Sequence, residues 1–158
     1  MLDLYIKNTE AMKRHIEMLD ALFKHATEGI LVVDSMGTLV MVNPRVLSMF
    51  GYTESELIGS KVEVLIPKRH TQAHVRNRIG YSEGPQARSM GINRELFAVR
   101  SDGAEFPVEV SLSPFSTSDG DFVVSFIIDI TERKKQADAI LAAKVQIQEL
   151  NTHLENRN

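Results

Sequence analysis

Asp129-Ile130-Thr131-Glu132-Arg133 separates two stretches of opposite character. Before it runs Asp121-Phe122-Val123-Val124-Ser125-Phe126-Ile127-Ile128, dense in β-branched and aromatic side chains and read as a strand. After it the chain turns polar, with apolar residues at helical spacing. Asp129 or Thr131 is placed to cap that helix by accepting from its free N–H groups. Glu132 falls in the first turn, where the helix dipole favours a negative charge. Arg133 or a neighbouring Lys is the expected partner of Asp129. No Gly or Pro lies between strand and helix, so a twist of the sheet passes into the helix instead of being lost in a loose linker. Asp129, Thr131 and Arg133 are therefore candidate transmission residues. On local residues alone the plainer reading, a simple strand-to-helix connection, is the stronger one.

Working outward, 158 residues make one domain plus flanking elements. Hydrophobic residues are 43%, enough for a single core, and the net charge of −3 argues for neither nucleic acid nor a polyanionic membrane. Cysteine is absent, which removes disulfides, thiolate catalysis and Cys-based metal sites. No apolar run approaches the roughly 20 residues that cross a bilayer, and Met1-Leu-Asp-Leu-Tyr-Ile-Lys7 lacks the pattern of a signal peptide. A cytoplasmic setting is the expectation.

Residues 2–26 contain no Gly or Pro. Tyr5, Thr9, Met12, Ile16, Leu19, Phe23 and Ala26 recur at alternating steps of four and three, as in a coiled-coil seam. The plainer alternative is an amphipathic helix lying on its own domain. Gly29 to Asp34 and Thr38 to Val42 read as strands around the turn Asp34-Ser-Met-Gly37. Asn43-Pro44 starts a helix, with Asn as N-cap, and Gly51 stops it. Thr53-Glu-Ser-Glu56 has capping-box spacing. Lys61 to Ile66 reads as a short helical turn, although its alternation equally permits a strand. A helix follows Pro67 to about Ile79. Strands are expected at roughly 92–100, 104–114 and 121–130, with Asp102-Gly103 and Ser118-Asp-Gly120 as turns. Two strands, then helices, then three strands make an α+β fold: a five-stranded antiparallel sheet covered by short helices. From Glu132 a last helix carries Ile140, Ala143, Ile147, Leu150 and Leu154 at steps of three and four. So short a seam is marginal alone in water and calls for a partner chain or a continuation. The expected units are 1–26, 27–131 and 132–158.

Few residues offer chemistry. His70 and His74, at i and i+4, project from one helix face. That spacing recurs in zinc sites, but no third ligand stands at a diagnostic spacing, so a zinc hydrolase is rejected. The plainer reading is a basic surface helix among Lys68, Arg69, Arg76 and Arg78. Asn43 and Asp34 are explained by capping and turn roles. The methionines, Met36, Met41 and Met49 among them, read as core or seam filler. His153 reads as a helical surface position. No nucleophile stands beside a base, so the chain is not read as an enzyme.

A resemblance adds to this. The Asp-Ile-Thr ending is similar to that of PAS domains, the small sensory modules of bacterial signalling proteins. Three more stretches agree: Glu28-Gly-Ile-Leu-Val-Val-Asp34; Val42-Asn-Pro44 with Phe50-Gly-Tyr-Thr-Glu-Ser-Glu-Leu-Ile-Gly59; and Arg100-Ser-Asp-Gly-Ala-Glu-Phe-Pro-Val-Glu-Val110. The resemblance implies a PAS fold and a homodimer through Met12, Ile16, Leu19, Phe23 and Ile140, Ile147, Leu150, Leu154. It implies that an apolar pocket senses a ligand, gas or redox state. The last helix would then signal to an output domain such as a histidine kinase of a two-component system, with neither nucleic acid nor membrane as partner. Rhizobial oxygen-sensor kinases hold heme in such a domain through a histidine seven residues after an Ile-Pro pair, and His74 stands seven after Pro67. The resemblance then places Arg94 as the arginine answering the ligand state, and Ile92, Val110 and Leu112 as the aliphatic wall over the iron of a heme b. An imidazole suits an axial position, and a guanidinium donates strongly to a propionate or bound dioxygen. The loop Pro85-Gln-Ala-Arg-Ser-Met-Gly91 is closer to another PAS subgroup. An empty pocket, another small ligand, or a ligand-free dimerisation domain therefore stay open. The absent cysteine excludes the cysteinyl-flavin chemistry of light-sensing relatives.

Overall fold

Six strands form one antiparallel sheet in the computed structural model, which describes residues 2–91 and 95–155. β1 (Gly29–Asp34) and β2 (Leu39–Val42) make a hairpin whose register slips between Val32 and Val33. β1 also pairs with β6 (Gly120–Asp129), and β6 pairs along its whole length with β5 (Glu105–Thr117). The far edge of β5 carries two short pieces, β3 (Arg88–Ser89) and β4 (Leu96–Val99). The strand predicted over 92–100 contains β4, its residues 92–94 lie outside the described residues, and β3 adds a sixth strand to the five predicted.

Alternation along the strands gives the sheet two faces. Phe106, Val108, Val110 and Leu112 of β5 share one face, with Val123, Ser125 and Ile127 opposite them on β6. Leu31, Val33, Leu39 and Val42 continue this inner face across β1 and β2, and the buried core assembles on it. The cover comes from short elements, each with its own start and stop.

Asn43 caps α2 (Pro44–Phe50), and Gly51 ends it at φ +74°. Val46, Met49 and Phe50 of this helix enter the core, and Phe50 meets Phe106 edge-on at 5.3 Å. Thr53 and Glu56 form the capping box of α3 (Glu54–Leu57), whose Leu57 is fully buried. Val62–Leu65 is a 3₁₀ turn that seats Leu65, and Lys68–His70 is another that leads into α4 (Thr71–Glu83). α4 runs past the expected end near Ile79 and holds Gly80 inside. The place of a Gly80 side chain is open space, so nothing there forces the helix to stop. Of the methionines expected as filler, Met49 is buried, whereas Met36 and Met41 are exposed on the first hairpin.

Two long helices frame this domain. α1 (Leu2–Lys24) precedes it and α5 (Thr131–Glu155) follows it. Their apolar seams are uncovered: Met12 is 63% exposed and Ile140 70%, while Phe23, near the domain, is half-buried. Among the described residues, no helix is long and apolar enough to cross a membrane.

Candidate functional site

Glu63 is the one acidic side chain buried among the described residues, and it holds His74. The 3₁₀ turn Val62–Leu65 points its carboxylate under α4. There Oε1 lies 3.0 Å from Nδ1 of His74 and accepts from Nε of Arg78 at 2.9 Å. His74 and Arg78 reach one carboxylate because they are four residues apart on one helix face. Burial works against the charge on Glu63, but the hydrogen bonds from Arg78 and His74 outweigh it and hold the carboxyl below the usual range. The Arg78 guanidinium lies over Gly37, whose φ is +75°; a Cβ there would sit 2.4 Å from the guanidinium carbon. The cluster thus ties α4, the 3₁₀ turn and the first hairpin together.

The other candidate site residues divide. Val110 and Leu112 lie half-buried on the inner face, in line with Val108. Ile92 and Arg94 lie outside the described residues. Neither of two open cavities is lined by Val110, Leu112 or His74. The larger, of about 620 Å³, lies between the end of α1 and the opposite sheet face, against Met18, Leu22, His25, Ile30 and Phe126. The smaller lies along α5 itself, beside Leu141 and Val145.

At the end of β6 the chain passes into α5 across a single residue. The N-cap place falls on Ile130, whose carbonyl accepts from the Lys134 N–H at 2.9 Å. Asp129 stands one residue outside, and its Oδ1 accepts from both the N–H and the hydroxyl of Thr131, at 2.9 and 2.5 Å. Its Oδ2 accepts from Nη2 of Arg100 at 3.0 Å. Burial opposes the charge of Asp129; the Thr131 and Arg100 bonds outweigh that and lower its pKa. Arg133 is therefore not the partner of Asp129. It pairs with Glu109 on β5, because the first turn of α5 aims it outward along the sheet. Lys134 pairs with Glu95 and lies 5.3 Å from the centre of the Phe97 ring. The Ile130 N–H donates to Pro107 at 3.1 Å, so the joint is bonded to β5 as well as continuous with β6.

Arg100 and Glu63 escaped the sequence reading. Both lie in sequence far from the groups they bind, Arg100 29 residues from Asp129 and Glu63 11 from His74. Asn43 caps α2 as the sequence predicts, its Oδ1 accepting from Val46 N–H at 3.1 Å. It is also fully buried and bonds three further groups. Oδ1 accepts from Ile30 N–H at 2.9 Å, and Nδ2 donates to the carbonyls of Phe23 and Glu28 at 3.1 and 3.0 Å.

An antiparallel sheet covered by short helices, its last strand running directly into a long helix, defines the class of fold. The family profile of the PAS domain matches residues 27–132. The chain belongs to the PAS domain family. It is 24% identical over 127 residues to the sensor protein FixL of Bradyrhizobium diazoefficiens, a match covering 80% of this chain and 24% of that protein. It is 26% identical over 123 residues to the oxygen sensor protein DosP of Escherichia coli, covering 75% of this chain and 15% of that protein. The chain thus spans a quarter or less of these relatives. Among solved structures, the PAS domain of an HTR-like protein from Haloarcula marismortui superposes with a TM-score of 0.65 at 25% identity, over 78% of this chain and 98% of that one. A PAS domain from Colwellia psychrerythraea gives 0.64 at 19% identity, over 74% and 98%. The protein is accordingly a PAS sensory domain related to sensor kinases.

Proposed function

We propose that this chain is a sensory module over residues 27–131. Its state passes through Asp129, Thr131 and Arg133 into α5, and from α5 to a second copy and a downstream output element such as a histidine kinase. The observation that carries this reading is the joint. One residue separates β6 from α5, and Asp129 fastens the first N–H of the helix to Arg100, in the turn between β4 and β5. A ligand shifts such a joint only through unequal affinity for its two arrangements, about 1–3 kcal/mol in ordinary cases. The uncovered seams supply the dimer: Met12, Ile16, Leu19 and Phe23 on α1; Ile140, Ile147, Leu150 and Leu154 on α5. The chain has no cysteine, so single cysteines test this directly. Leu150→Cys is expected to cross-link two copies under mild oxidation and Lys144→Cys, off the seam, is not. Sedimentation of a monomer at tens of micromolar, with neither variant cross-linking, overturns the dimer.

A second reading is favoured by one observation at His74. Its Nδ1 faces the Glu63 carboxylate, and among the described residues no hydrogen bond engages Nε2. A carboxylate on one imidazole nitrogen orients the ring and strengthens the other as a metal ligand. That donor set suits a heme b, which His74 would hold, with Val110 and Leu112 of the inner sheet face as its apolar wall; Ile92 and Arg94 are assigned to it by the resemblance alone. Heme would supply an iron that binds a diatomic gas. DosP is named an oxygen sensor, and the shared PAS domain supports this reading. Titration with hemin tests it: a Soret band that His74→Ala abolishes is expected. If hemin gives no band and the dimer persists, an unoccupied dimerisation domain is the better account.

A further inference from the structure

We propose that α2 is a strut coupling the incoming helix α1 to the outgoing helix α5, so that a displacement of either is felt by the other whatever occupies the inner face. This goes beyond the sensory reading, because it needs no ligand and stands or falls independently of heme. The evidence is a chain of bonds that meets α2 at both ends. At its N-terminus, Asn43 donates to Phe23 in the last turn of α1 and to Glu28 after it, while Nε of Arg45 donates to Thr27 at 3.1 Å. The whole passage from α1 into β1 is therefore gripped by the first turn of α2. The C-terminus of a helix leaves carbonyls without partners. Here one tight turn takes three of them: Arg100 donates to Met49, Ser101 N–H to Phe50 at 2.8 Å, and the Ser101 hydroxyl to Gly51 at 2.7 Å. The same Arg100 then donates to Asp129, which holds the first N–H of α5.

Arg100 is fixed in this bridging pose from a third side. Its guanidinium carbon lies 3.9 Å from the centre of the Phe106 ring, and Phe106 packs on Phe50 of α2. The path from Phe23 to Thr131 thus contains one short helix and three side chains, Asn43, Arg100 and Asp129. A helix of seven residues is about 10 Å long and nearly incompressible along its axis. Coupling through a bonded, packed element of this kind is reciprocal: what α1 does to α5, α5 does to α1.

Amide hydrogen exchange on the full chain tests the strut from its far end. Arg100→Gln removes the charge at the α5 side. Exchange at Ser101 and Thr131 is expected to rise because they are local. The decisive amides are Ile30 and Val46, which donate to Asn43 at the opposite end of α2. Their exchange is expected to rise about fivefold or more, the lower end of ordinary coupling between sites, while Leu31 and Ser125 in the sheet centre hold their rates. Arg133→Gln, which breaks the ion pair with Glu109 at the same joint, is expected to leave Ile30 and Val46 at wild-type rates. Arg100→Lys keeps the charge in case the Gln variant does not fold. Unchanged exchange at Ile30 and Val46 overturns the strut. So does a rise there that Leu31 and Ser125 match in both Arg100 variants, or one that Arg133→Gln reproduces.

Discussion

Nη2 of Arg100 and Oδ2 of Asp129 are 3.0 Å apart, joining the turn between β4 and β5 to the residue that fastens α5. The pair is partly buried, and each member has other work: Arg100 on α2 and Phe106, Asp129 on Thr131. Arg133, in the first turn of α5, instead makes an exposed pair with Glu109.

That difference sets a comparison. Asp129→Ala removes a helix-end acceptor and leaves a half-buried guanidinium unpaired, and is expected to cost about 2 kcal/mol. Arg133→Ala removes only an exposed pair and is expected to stay within about 0.5 kcal/mol. Urea denaturation of the two variants checks the order. Equal losses would mean that Arg100 does not recognise Asp129.

Asn43→Ala should be the more damaging change. It removes the side-chain partner of the Ile30 N–H and of two carbonyls and leaves the Val46 N–H only the Asn43 carbonyl, with an expected loss of about 3 kcal/mol. Asn43→Asp keeps the acceptor for Ile30 and Val46 but loses both donors. Thermal melting of both, with circular dichroism as the readout, shows whether the donors to Phe23 and Glu28 matter.

Acid should loosen the domain through Glu63 and Asp129. Both carboxyls titrate below their ordinary values in the folded protein, so the unfolded chain takes up protons first. Their contribution is complete above the unfolded values of about 4.3 and 3.9 and is lost as pH falls through the lowered folded ones. Urea midpoints are expected to be level from about pH 7 to 5 and to drop below about pH 4. Glu63→Gln should start lower and fall less steeply, since its site no longer titrates. A slope unchanged in Glu63→Gln would remove that carboxylate from the account.

Gly37→Ala tests the packing of the cluster without touching a charged group. The left-handed backbone there costs an L-residue about 1–2 kcal/mol, and the new methyl would strike the Arg78 guanidinium. Melting temperature is expected to fall, and the carboxyl of Glu63, measured by NMR titration, to move back toward the ordinary range as Arg78 is displaced.

What the sequence discloses and what it withholds divide by range of interaction. Alternation and turn residues place β1, β2, β5 and β6, because period and punctuation are local signals. Asn43-Pro44 and Thr53-Glu-Ser-Glu56 announce α2 and α3 for the same reason. β3 was not foreseen, because its two residues, Arg88 and Ser89, are too few to show a period. The partners of Asp129 and His74 were not legible at all. Arg100 lies in one of the stretches that resemble PAS domains, and Glu63 in one whose pattern permits either a helical turn or a strand; neither pattern names a partner. Charge carries no direction in a sequence; the fold supplies it when β4 and the 3₁₀ turn arrive beside their targets.

Because only Ile130 intervenes between β6 and α5, the domain has no slack with which to absorb a change of chain length. Each residue added or removed at that point rotates everything downstream by about 100° and shifts it along the axis by about 1.5 Å. Two such domains therefore agree on the orientation of whatever follows only when their linkers differ by whole heptads. Grafting this sensor onto a new effector is a problem of phase before it is one of affinity.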